Sequence, residues 1–161
     1  MTAGEMGLVC SSMLLWEKIA TSPTKQIAMI FEDDIKLYNN FDKGLEKIFK
    51  ALPQKWDLIY IDVIKHHRFL DKWTLMFKVV NENLIKISPF RGAWGSHAYI
   101  VNQKSAQKLL ELYKLEDNND LALDCFFTKM MFKKKIRAYV SKEKIADTMR
   151  NMPSEITAMG R

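Results

Sequence analysis

The stretch from Ile27 to Asp34 limits the possible folds of this chain more than any other. It consists of an uninterrupted apolar run, Ile27–Phe31, that passes directly into three acidic residues, Glu32–Asp34. Five apolar residues in a row predict a strand that is covered on both faces, as in a parallel sheet. The carboxylates then follow the C-terminal end of a strand, which is the edge where open α/β sheets bind their ligands.

Three adjacent carboxylates repel one another, so a purely structural turn would be more stable with asparagine or serine. A divalent cation removes this conflict, because oxygen ligands suit magnesium and manganese, and these ions commonly bridge to phosphates. The alternative is an ordinary solvated turn after a strand. The residues of this stretch alone leave both interpretations open.

Composition limits the class of protein. The chain has 161 residues, of which 48% are hydrophobic and 27% charged, as expected for one globular domain. Its net charge of +6 favours an anionic partner: phosphates, nucleic acid or an acidic membrane surface. Cys10 and Cys125 lie in apolar segments and are expected to be buried thiols in a reducing compartment. The sequence contains no signal-peptide pattern and no membrane-spanning apolar run, so we expect a soluble protein, at most peripheral to a membrane.

Local patterns predict alternating helices and strands. Thr2 and Glu5 have capping-box spacing, and the helix they begin extends to about Ala20. Its predicted buried face consists of Met6, Val9, Cys10, Met13, Trp16 and Ile19/Ala20. Further elements are predicted at 41–52 (helix), 56–63 (strand), 75–88 (hairpin), 97–101 (strand), 105–113 and 121–132 (helices) and 136–140 (strand). Residues 1–140 are thus expected to form a single domain, and 141–161 a loosely packed tail.

Three blocks of sequence, taken together, resemble glycosyltransferase family 25, which includes lipooligosaccharide and collagen galactosyltransferases. The first block is similar to the family's Gly-Glu helix with its later tryptophan, the second to its strand with a Glu-Asp-Asp signature, and the third to its Gly-Thr-x-Ala-Tyr strand and following helix. In this chain the blocks are Thr2–Ser12 with Trp16, Ile30–Ile35 with Trp56–Tyr60, and Gly95–Val101 with Lys104–Leu110.

The resemblance implies an α/β fold: a three-layer nucleotide-diphospho-sugar transferase domain of the GT-A-like type with a mixed sheet, shortened at its N-terminus. Family members normally have a nucleotide-binding section before the Gly-Glu helix, whereas Met1 stands almost on that helix here. The family's histidine after the first block's serine is replaced by Ser12. The implied activity is transfer of galactose or glucose from a UDP-hexose to a glycan or glycolipid acceptor, mostly with inversion.

The same resemblance suggests roles for the acidic residues. Glu32 and Asp34 mimic the Asp-x-Asp spacing with which metal-dependent glycosyltransferases bind Mn²⁺ or Mg²⁺. Asp33 would then orient the ribose of the nucleotide sugar or the groups that surround the metal ligands. Arg91 lies in a glycine-containing loop and is a candidate for binding the donor's phosphates, although that loop can equally be a structural turn.

Asp124 and His97 complete the candidate site. Asp124 occupies the place of the family's late acidic residue and is the candidate general base for the acceptor hydroxyl. Its alternative role is that of a carboxylate favoured by the dipole at a helix start. His97 is a candidate cofactor-binding residue, as a further ligand or as a hydrogen-bonding group in its strand. A structural histidine is the favoured alternative.

Other functions are weighed against this one. A non-catalytic glycosyltransferase remnant that serves as a binding or assembly module is the main competitor. A phosphoacceptor receiver domain is disfavoured, because the span from Asp34 to Asp62 lacks room for the required extra strand and helix. The basic segment 133–137, with Lys142 and Lys144, would face an anionic glycolipid or membrane, or simply solvent. Nucleic acid is not expected, because no aromatic residues are interleaved with these lysines.

The resemblance and the composition also bear on the setting of the chain. We expect a protein from a bacterium or a large virus. It is expected in the cytoplasm, either free or at the cytoplasmic face of a membrane. A sheet shortened at its N-terminus would expose a strand edge, which a second copy or a partner chain can complete.

Overall fold

The computed structural model describes residues 1–62, 78–88, 93, 95–115 and 121–149. Within these ranges the chain forms four helices, α1 (Ala3–Ala20), α2 (Phe41–Lys50), α3 (Gln103–Leu115) and α4 (Leu123–Phe132). It also forms eight strands, β1 (Ile27–Phe31), β2 (Ile35–Leu37), β3 (Leu58–Asp62), β4 (Lys78–Val79), β5 (Leu84–Lys86), β6 (Ala98–Asn102), β7 (Ala138–Ser141) and β8 (Ala146–Thr148). The predicted α/β class is confirmed.

Six strands form one mixed sheet in the order β1-β6-β3-β7-β5-β4, while β2 and β8 form a separate two-stranded sheet. Strands β3 and β7 run parallel, and the other described pairs are antiparallel. The predicted hairpin is present as β4 and β5, in which Lys78 pairs with Lys86. Residues 75–77 of that prediction lie outside the described ranges.

Helices cover both faces of the large sheet, which confirms the expected three layers. On one face, α1, α3 and α4 bury a core that includes Trp16, Leu109 and Phe127. On the other face, α2 and the start of β8 bury a second core around Ile48 and Ile145. Side chains of β6 alternate between the two cores, as the two-residue period of a strand requires.

The placement of β1 differs from the prediction. Instead of lying inside a parallel sheet, β1 is an edge strand that pairs only with the antiparallel β6 among the described strands. Ile30 faces the core, whereas Ile27, Met29 and Phe31 are exposed by 46%, 40% and 37%. An apolar run reports only that both sides of a strand are apolar, and it does not report whether the second side is covered.

The start of α1 agrees with the prediction. The Thr2 hydroxyl accepts a hydrogen bond from the Glu5 amide at 3.3 Å, and the Glu5 carboxylate accepts one from the Thr2 amide at 2.6 Å. The buried stripe is narrower than predicted and consists of Val9, Ser12, Trp16 and Ile19, while Met6 and Cys10 are exposed. Among the described elements α1 packs against α3 and α4, so apolar residues at the margin of its buried stripe stay in water.

The prediction of two buried thiols was therefore wrong. Cys10 is exposed, and Cys125 is only partly buried. Burial, reinforced by the neighbouring Asp124 carboxylate, raises the pKa of the Cys125 thiol. None of the described helices is both long enough and apolar enough to cross a membrane.

The loosely packed tail does not begin at residue 141 as predicted. Ser141 ends β7, and Ile145 and Ala146 are fully buried in the second core. Strand β8 then pairs with β2, so that Ala146 lies opposite Leu37. These three-residue strands are too short to be recognised from periodicity, and their pairing joins parts of the chain more than a hundred residues apart. Residues 150–161 lie outside the described ranges.

Polar contacts add to the β2–β8 pairing. Asp147 accepts hydrogen bonds from the Tyr38 hydroxyl at 3.1 Å and from the Lys144 ammonium at 2.5 Å. Burial acts to raise the pKa of Asp147, but these hydrogen bonds and the charge of Lys144 outweigh it and lower the pKa below 3.8. The segment after β7 is therefore an ordered part of the described structure.

Candidate functional site

The acidic turn after β1 is fastened to the segment that precedes β6. The Glu32 amide donates to the carbonyl of His97 at 2.8 Å, one step beyond the last strand pair. The Glu32 carboxylate accepts a hydrogen bond from the Ser96 hydroxyl at 3.1 Å, and its other oxygen lies 3.1 Å from His97 Nδ1. Main-chain and side-chain contacts together therefore fix the direction of this carboxylate.

These contacts also set the charge of Glu32. Burial acts to raise the pKa of Glu32, but the hydrogen bond from His97, the charge of that ring when protonated and the hydrogen bond from Ser96 lower it below 4.5. The side chain is thus ionised at neutral pH, as a carboxylate ligand must be.

Glu32, Asp34 and His97 converge in space. Each offers one ligand atom, and these atoms all lie within 4.8 Å of one another; in the described ranges this is the one such group of three or more acidic, histidine or cysteine side chains. The three side chains are partly buried. Asp34 Oδ1 is a buried oxygen that has no hydrogen-bond partner within the described part of the chain. A buried, unsatisfied carboxylate oxygen is costly unless a cation or a donor meets it, so this arrangement fits a divalent metal.

The backbone of Asp34 is held by the C-terminal segment. Its carbonyl accepts a hydrogen bond from the Met149 amide at 2.8 Å, and the next residue, Ile35, pairs with Thr148. The β2–β8 pair therefore positions the third acidic residue of the turn, just as β6 positions the first.

Asp33 and Arg91 stand apart from this group. Asp33 is exposed at the tip of the turn, between the two inward-facing acids. An exposed carboxylate beside the group can still contact a bound ligand, so its role stays a prediction. Arg91 lies outside the described residues.

Asp124 of α4 is linked to the group through the segment 95–97. It lies in the first turn of that helix, where one carboxylate oxygen accepts from the Cys125 amide at 2.7 Å. The other oxygen accepts from the Gly95 amide at 3.4 Å. Gly95 has a φ of 86°, a left-handed conformation that favours glycine. Segment 95–97 therefore connects Asp124 at one end with Glu32 at the other. Asp124 accepts hydrogen bonds from both the first turn of α4 and this segment.

A packed aromatic cluster surrounds Tyr99 in β6, the strand that follows segment 95–97. Trp16 donates its indole N–H to the Tyr99 hydroxyl at 3.2 Å, and the ring of Tyr99 lies edge-on to Phe127 at 5.5 Å. Ser12, which stands where the resemblance leads us to expect a histidine, is buried and also hydrogen-bonds Tyr99. Burial raises the pKa of the Tyr99 hydroxyl far above its ordinary range, so this cluster is uncharged.

Two contributions to the group escaped the sequence interpretation. The sequence pattern places Ser96 in a strand motif, and its position between a glycine and a histidine gives no signal of a bond to Glu32. Met149 lies in the segment that the sequence predicts as a tail, and nothing in the local sequence indicates that its amide meets Asp34. Both are contacts between residues far apart in the chain.

Comparison with known proteins decides the family. The family model described as "Glycosyltransferase family 25 (LPS biosynthesis protein)" matches residues 1–127. The chain belongs to glycosyltransferase family 25. The matched range contains the whole Glu32, Asp34 and His97 group and Asp124, while β7 and β8 lie beyond it.

Three curated relatives match parts of this family member. The "Lipooligosaccharide biosynthesis protein lex-1" of Haemophilus influenzae is 30% identical over 123 residues, which is 71% of this chain and 38% of that protein. A "Glycosyltransferase 25 family member" of Aedes aegypti is 26% identical over 118 residues, 72% of this chain and 18% of that protein. The "Probable inactive glycosyltransferase 25 family member 3" of Rattus norvegicus is 38% identical over 64 residues, 38% of this chain and 11% of that protein. The matches thus span between 11% and 38% of these relatives.

Proposed function

We propose that this chain carries the donor site of a metal-dependent glycosyltransferase. The reaction is transfer of a hexose, galactose or glucose, from a UDP-hexose to a glycan or glycolipid acceptor, with inversion at the anomeric carbon. The observation that carries this proposal is the convergence of Glu32, Asp34 and His97 within 4.8 Å, inside the range matched by the family. The lipooligosaccharide name of the Haemophilus relative supports a glycolipid acceptor.

Glu32 and Asp34 are the proposed metal ligands, and His97 completes the set. Two carboxylates suit Mg²⁺ or Mn²⁺, and the imidazole favours Mn²⁺ because Mg²⁺ binds mainly to oxygen. When bound, such an ion supplies positive charge that neutralises the departing diphosphate. The hydrogen bond from Ser96 holds the Glu32 carboxylate, and the hydrogen bond from the Met149 amide holds the main chain of Asp34.

Other residues of the chain bind and orient the substrates. Asp33 is exposed beside the ligand pair and is proposed to accept hydrogen bonds from the donor's ribose. Arg91 is proposed to bind its phosphates. Asp124 is the proposed general base. It takes the proton of the acceptor hydroxyl as that oxygen bonds to the anomeric carbon and the bond from that carbon to the diphosphate oxygen breaks, releasing UDP.

A basic surface fits an anionic acceptor. Lys133, Lys134, Lys135 and Arg137 are exposed after α4. We propose that these residues contact the phosphorylated part of a glycolipid, at the cytoplasmic face of a membrane, and that nucleic acid is not a partner. Because the attraction is electrostatic, it is expected to weaken as salt is raised.

A second candidate is a non-catalytic module that keeps the fold and binds a nucleotide sugar or a partner chain. The observation that favours it is the rat relative, whose name describes it as probably inactive. The two candidates differ in turnover and can agree in donor binding, so the experiment must measure both.

The test is UDP release by the purified chain from UDP-galactose and UDP-glucose, with Mn²⁺ and a lipooligosaccharide acceptor. We expect Asp34→Ala to abolish release and donor binding, and Asp124→Asn to reduce release by about 10²–10⁴ while donor binding persists. Asp42→Asn is the matched control, because Asp42 is an exposed acid in the first turn of α2.

Each outcome separates the candidates. Release that does not change in Asp34→Ala would refute the metal-dependent donor site. Metal-dependent UDP binding without release by the wild-type chain, with every acceptor tried, would favour the binding module.

A further inference from the structure

Four segments of the chain meet at one end of the large sheet, the end at which β1, β3 and β7 begin. The Gln103 side chain donates a hydrogen bond to the Ala20 carbonyl at 3.1 Å. The Lys108 ammonium contacts the Asp57 carboxylate at 2.9 Å, and the Asp57 amide donates to the Arg137 carbonyl at 2.9 Å. The metal-ligand group proposed above lies at the opposite end, one length of β6 or roughly 17 Å away. The four segments are 18–26, 54–57, 103–108 and 132–137.

These four segments concentrate the positive charge of the chain. They contain nine of its 25 lysine and arginine residues and one of its 19 acidic residues, Asp57. Outside them, acidic residues outnumber basic ones, although the chain as a whole has a net charge of +6. Lys108 forms an ion pair with the buried Asp57. The other eight side chains are exposed, and we call them the basic end: Lys18, Lys25, Lys55, Lys104, Lys133, Lys134, Lys135 and Arg137.

Folding preferences account for only part of the basic end. The helix dipole favours cations near a helix C-terminus, which explains Lys18 in the last turn of α1 and Lys133 directly after α4. Lys104 is different, because it lies in the first turn of α3, where the dipole disfavours a cation and where that helix has no acidic residue. A neutral or acidic residue at position 104 would therefore give a more stable helix.

Lys134 also occupies a position that suits another residue better. The amides of Lys134 and Lys135 bond to the carbonyls of Met131 and Met130 at 2.9 Å, which is the pattern of a helix that ends on a left-handed residue. Lys134 is that residue, with a φ of 56°, and glycine adopts this conformation without steric cost. Lys104 and Lys134 thus reduce stability, which indicates that their charge serves a purpose other than folding.

We propose that the basic end binds the surface of a bilayer that contains anionic lipids. The negative surface potential of such a bilayer matches the eight positive charges. Phe132, the last residue of α4, is exposed by 61% beside Lys133 and enters the layer between headgroups and acyl chains. The choice of a bilayer rests on the glycolipid acceptor proposed above, and it extends that contact from residues 133–137 to the whole end of the sheet.

This binding fixes the orientation of the protein. The basic end faces the bilayer, and the Glu32, Asp34 and His97 group lies one strand length farther out, on the aqueous side. The donor then reaches its site from water. The reacting hydroxyl of the acceptor must lie on a glycan that extends at least roughly 17 Å from the lipid.

The first test is flotation of the purified full chain with lipid vesicles, without metal, donor or acceptor. We expect binding to vesicles of phosphatidylcholine with phosphatidylglycerol, weak binding to phosphatidylcholine alone, and a decline as salt is raised. A cation at an anionic bilayer surface contributes about fivefold to partitioning. The triple variant Lys133→Gln, Lys134→Gln and Lys135→Gln should therefore bind about a hundredfold more weakly.

Helix α3 supplies a matched control. Lys104 and Lys114 are exposed lysines at its two ends. Lys104→Gln should lower the partition coefficient about fivefold, while Lys114→Gln, with the same change in net charge, should leave it nearly unchanged. A polarity-sensitive fluorophore on Lys104→Cys, in a Cys10→Ser background that removes the exposed thiol, should report a less polar environment on vesicles. The same label on Lys114→Cys should not.

Lys134→Gly separates membrane binding from folding. It should raise the midpoint of urea denaturation, because glycine suits a φ of 56°, and it should weaken vesicle binding about fivefold. A residue with only a structural role would not change the two measurements in opposite directions. Phe132→Ser should also weaken vesicle binding, with no change in its salt dependence.

Equal binding to neutral and anionic vesicles, unchanged binding by the triple variant, or equal effects of Lys104→Gln and Lys114→Gln would overturn the proposal. So would tighter binding to duplex DNA than to anionic vesicles, because it would assign the basic end to nucleic acid. Asp34→Ala should bind vesicles as the wild-type chain does. Vesicle binding by a chain that releases no UDP would therefore contradict the enzyme and support the bilayer contact.

Discussion

Replacing Gly44 by alanine should destabilise the protein, although the helix alone would favour the change. Gly44 lies in α2, where its amide bonds to the Asn40 carbonyl at 2.9 Å. Alanine is more favourable than glycine in a helix interior by about 0.8–1.0 kcal/mol. However, a Cβ at position 44 would overlap Cγ2 of Ile145 and lie 3.4 and 3.5 Å from two further atoms of that side chain.

The overlap should outweigh the gain in helix propensity. Ile145 is fully buried, and its carbonyl accepts a hydrogen bond from the Tyr38 amide at 3.0 Å. Residue 145 therefore cannot easily move away from α2. Overpacking in a core of this kind costs about 1–3 kcal/mol. After subtraction of the propensity term, Gly44→Ala should lower the free energy of unfolding by up to roughly 2 kcal/mol.

The assay is urea denaturation of three single variants and one double variant. Gly7→Ala is the matched control, because a Cβ at Gly7 in α1 meets no atom within 4 Å and should stabilise the protein by up to about 1 kcal/mol. Ile145→Ala should cost about 2–5 kcal/mol, and in that background Gly44→Ala should become stabilising. If Gly44→Ala stabilises the wild-type protein as much as Gly7→Ala does, the close packing of residue 145 against α2 is refuted.

Four further substitutions test contacts around the two sheets. Trp16→Phe should lower the free energy of unfolding by about 1–3 kcal/mol, because the buried Tyr99 hydroxyl loses a hydrogen-bond donor and a void is left beside it. A variant as stable in urea as the wild-type protein would contradict this. Asp57→Ala should cost about 1.5–3 kcal/mol, because this buried carboxylate accepts from Lys108 at 2.9 Å and from a main-chain amide at 2.7 Å. Lys108→Met should cost under about 1 kcal/mol, as the lysine is partly exposed, so equal losses in the two variants would be inconsistent with the proposed contacts. Folding lowers the pKa of Asp147, so the ionised carboxylate stabilises the folded protein above its unfolded pKa of about 3.8. This stabilisation disappears as the pH falls through the folded pKa. Asp147→Asn should therefore flatten the acid limb of a plot of unfolding free energy against pH.

Local signals in the sequence predicted most of the elements. The capping box at Thr2 and Glu5 marks the start of α1 because both partners lie within one helical turn. The same holds for β1, whose bounds, Ile27–Phe31, follow from five consecutive apolar residues. These features depend only on near neighbours in the chain, which a single sequence contains.

What the sequence did not reveal depends on contacts between distant residues. The apolar pattern of β1 is the same for an edge strand and a central one, so the position predicted for β1 in the sheet was wrong. Strand β8 is short and partly polar, and its structure depends on β2, whose residues 35–37 are remote in the chain. The burial of Ile145 could not be predicted without that pairing.

The candidate site divides in the same way. Glu32 and Asp34 could be predicted as a pair because they are two residues apart at the end of a strand. The nearness of His97 follows from the antiparallel pairing of β1 with β6, and the sequence interpretation weighed a structural role for this histidine as well. The link from Asp124 through Gly95 to the same segment likewise requires the folded chain.

The most direct test of the donor site is calorimetric titration of UDP into the purified chain, with and without Mn²⁺, beside Asp34→Ala and the control Asp42→Asn. We expect Mn²⁺ to bind first and to strengthen UDP binding in the wild-type chain and in Asp42→Asn, and we expect Asp34→Ala to lose both effects. UDP binding that is independent of Mn²⁺, or that persists with Mn²⁺ in Asp34→Ala, would contradict a metal-dependent donor site at Glu32, Asp34 and His97.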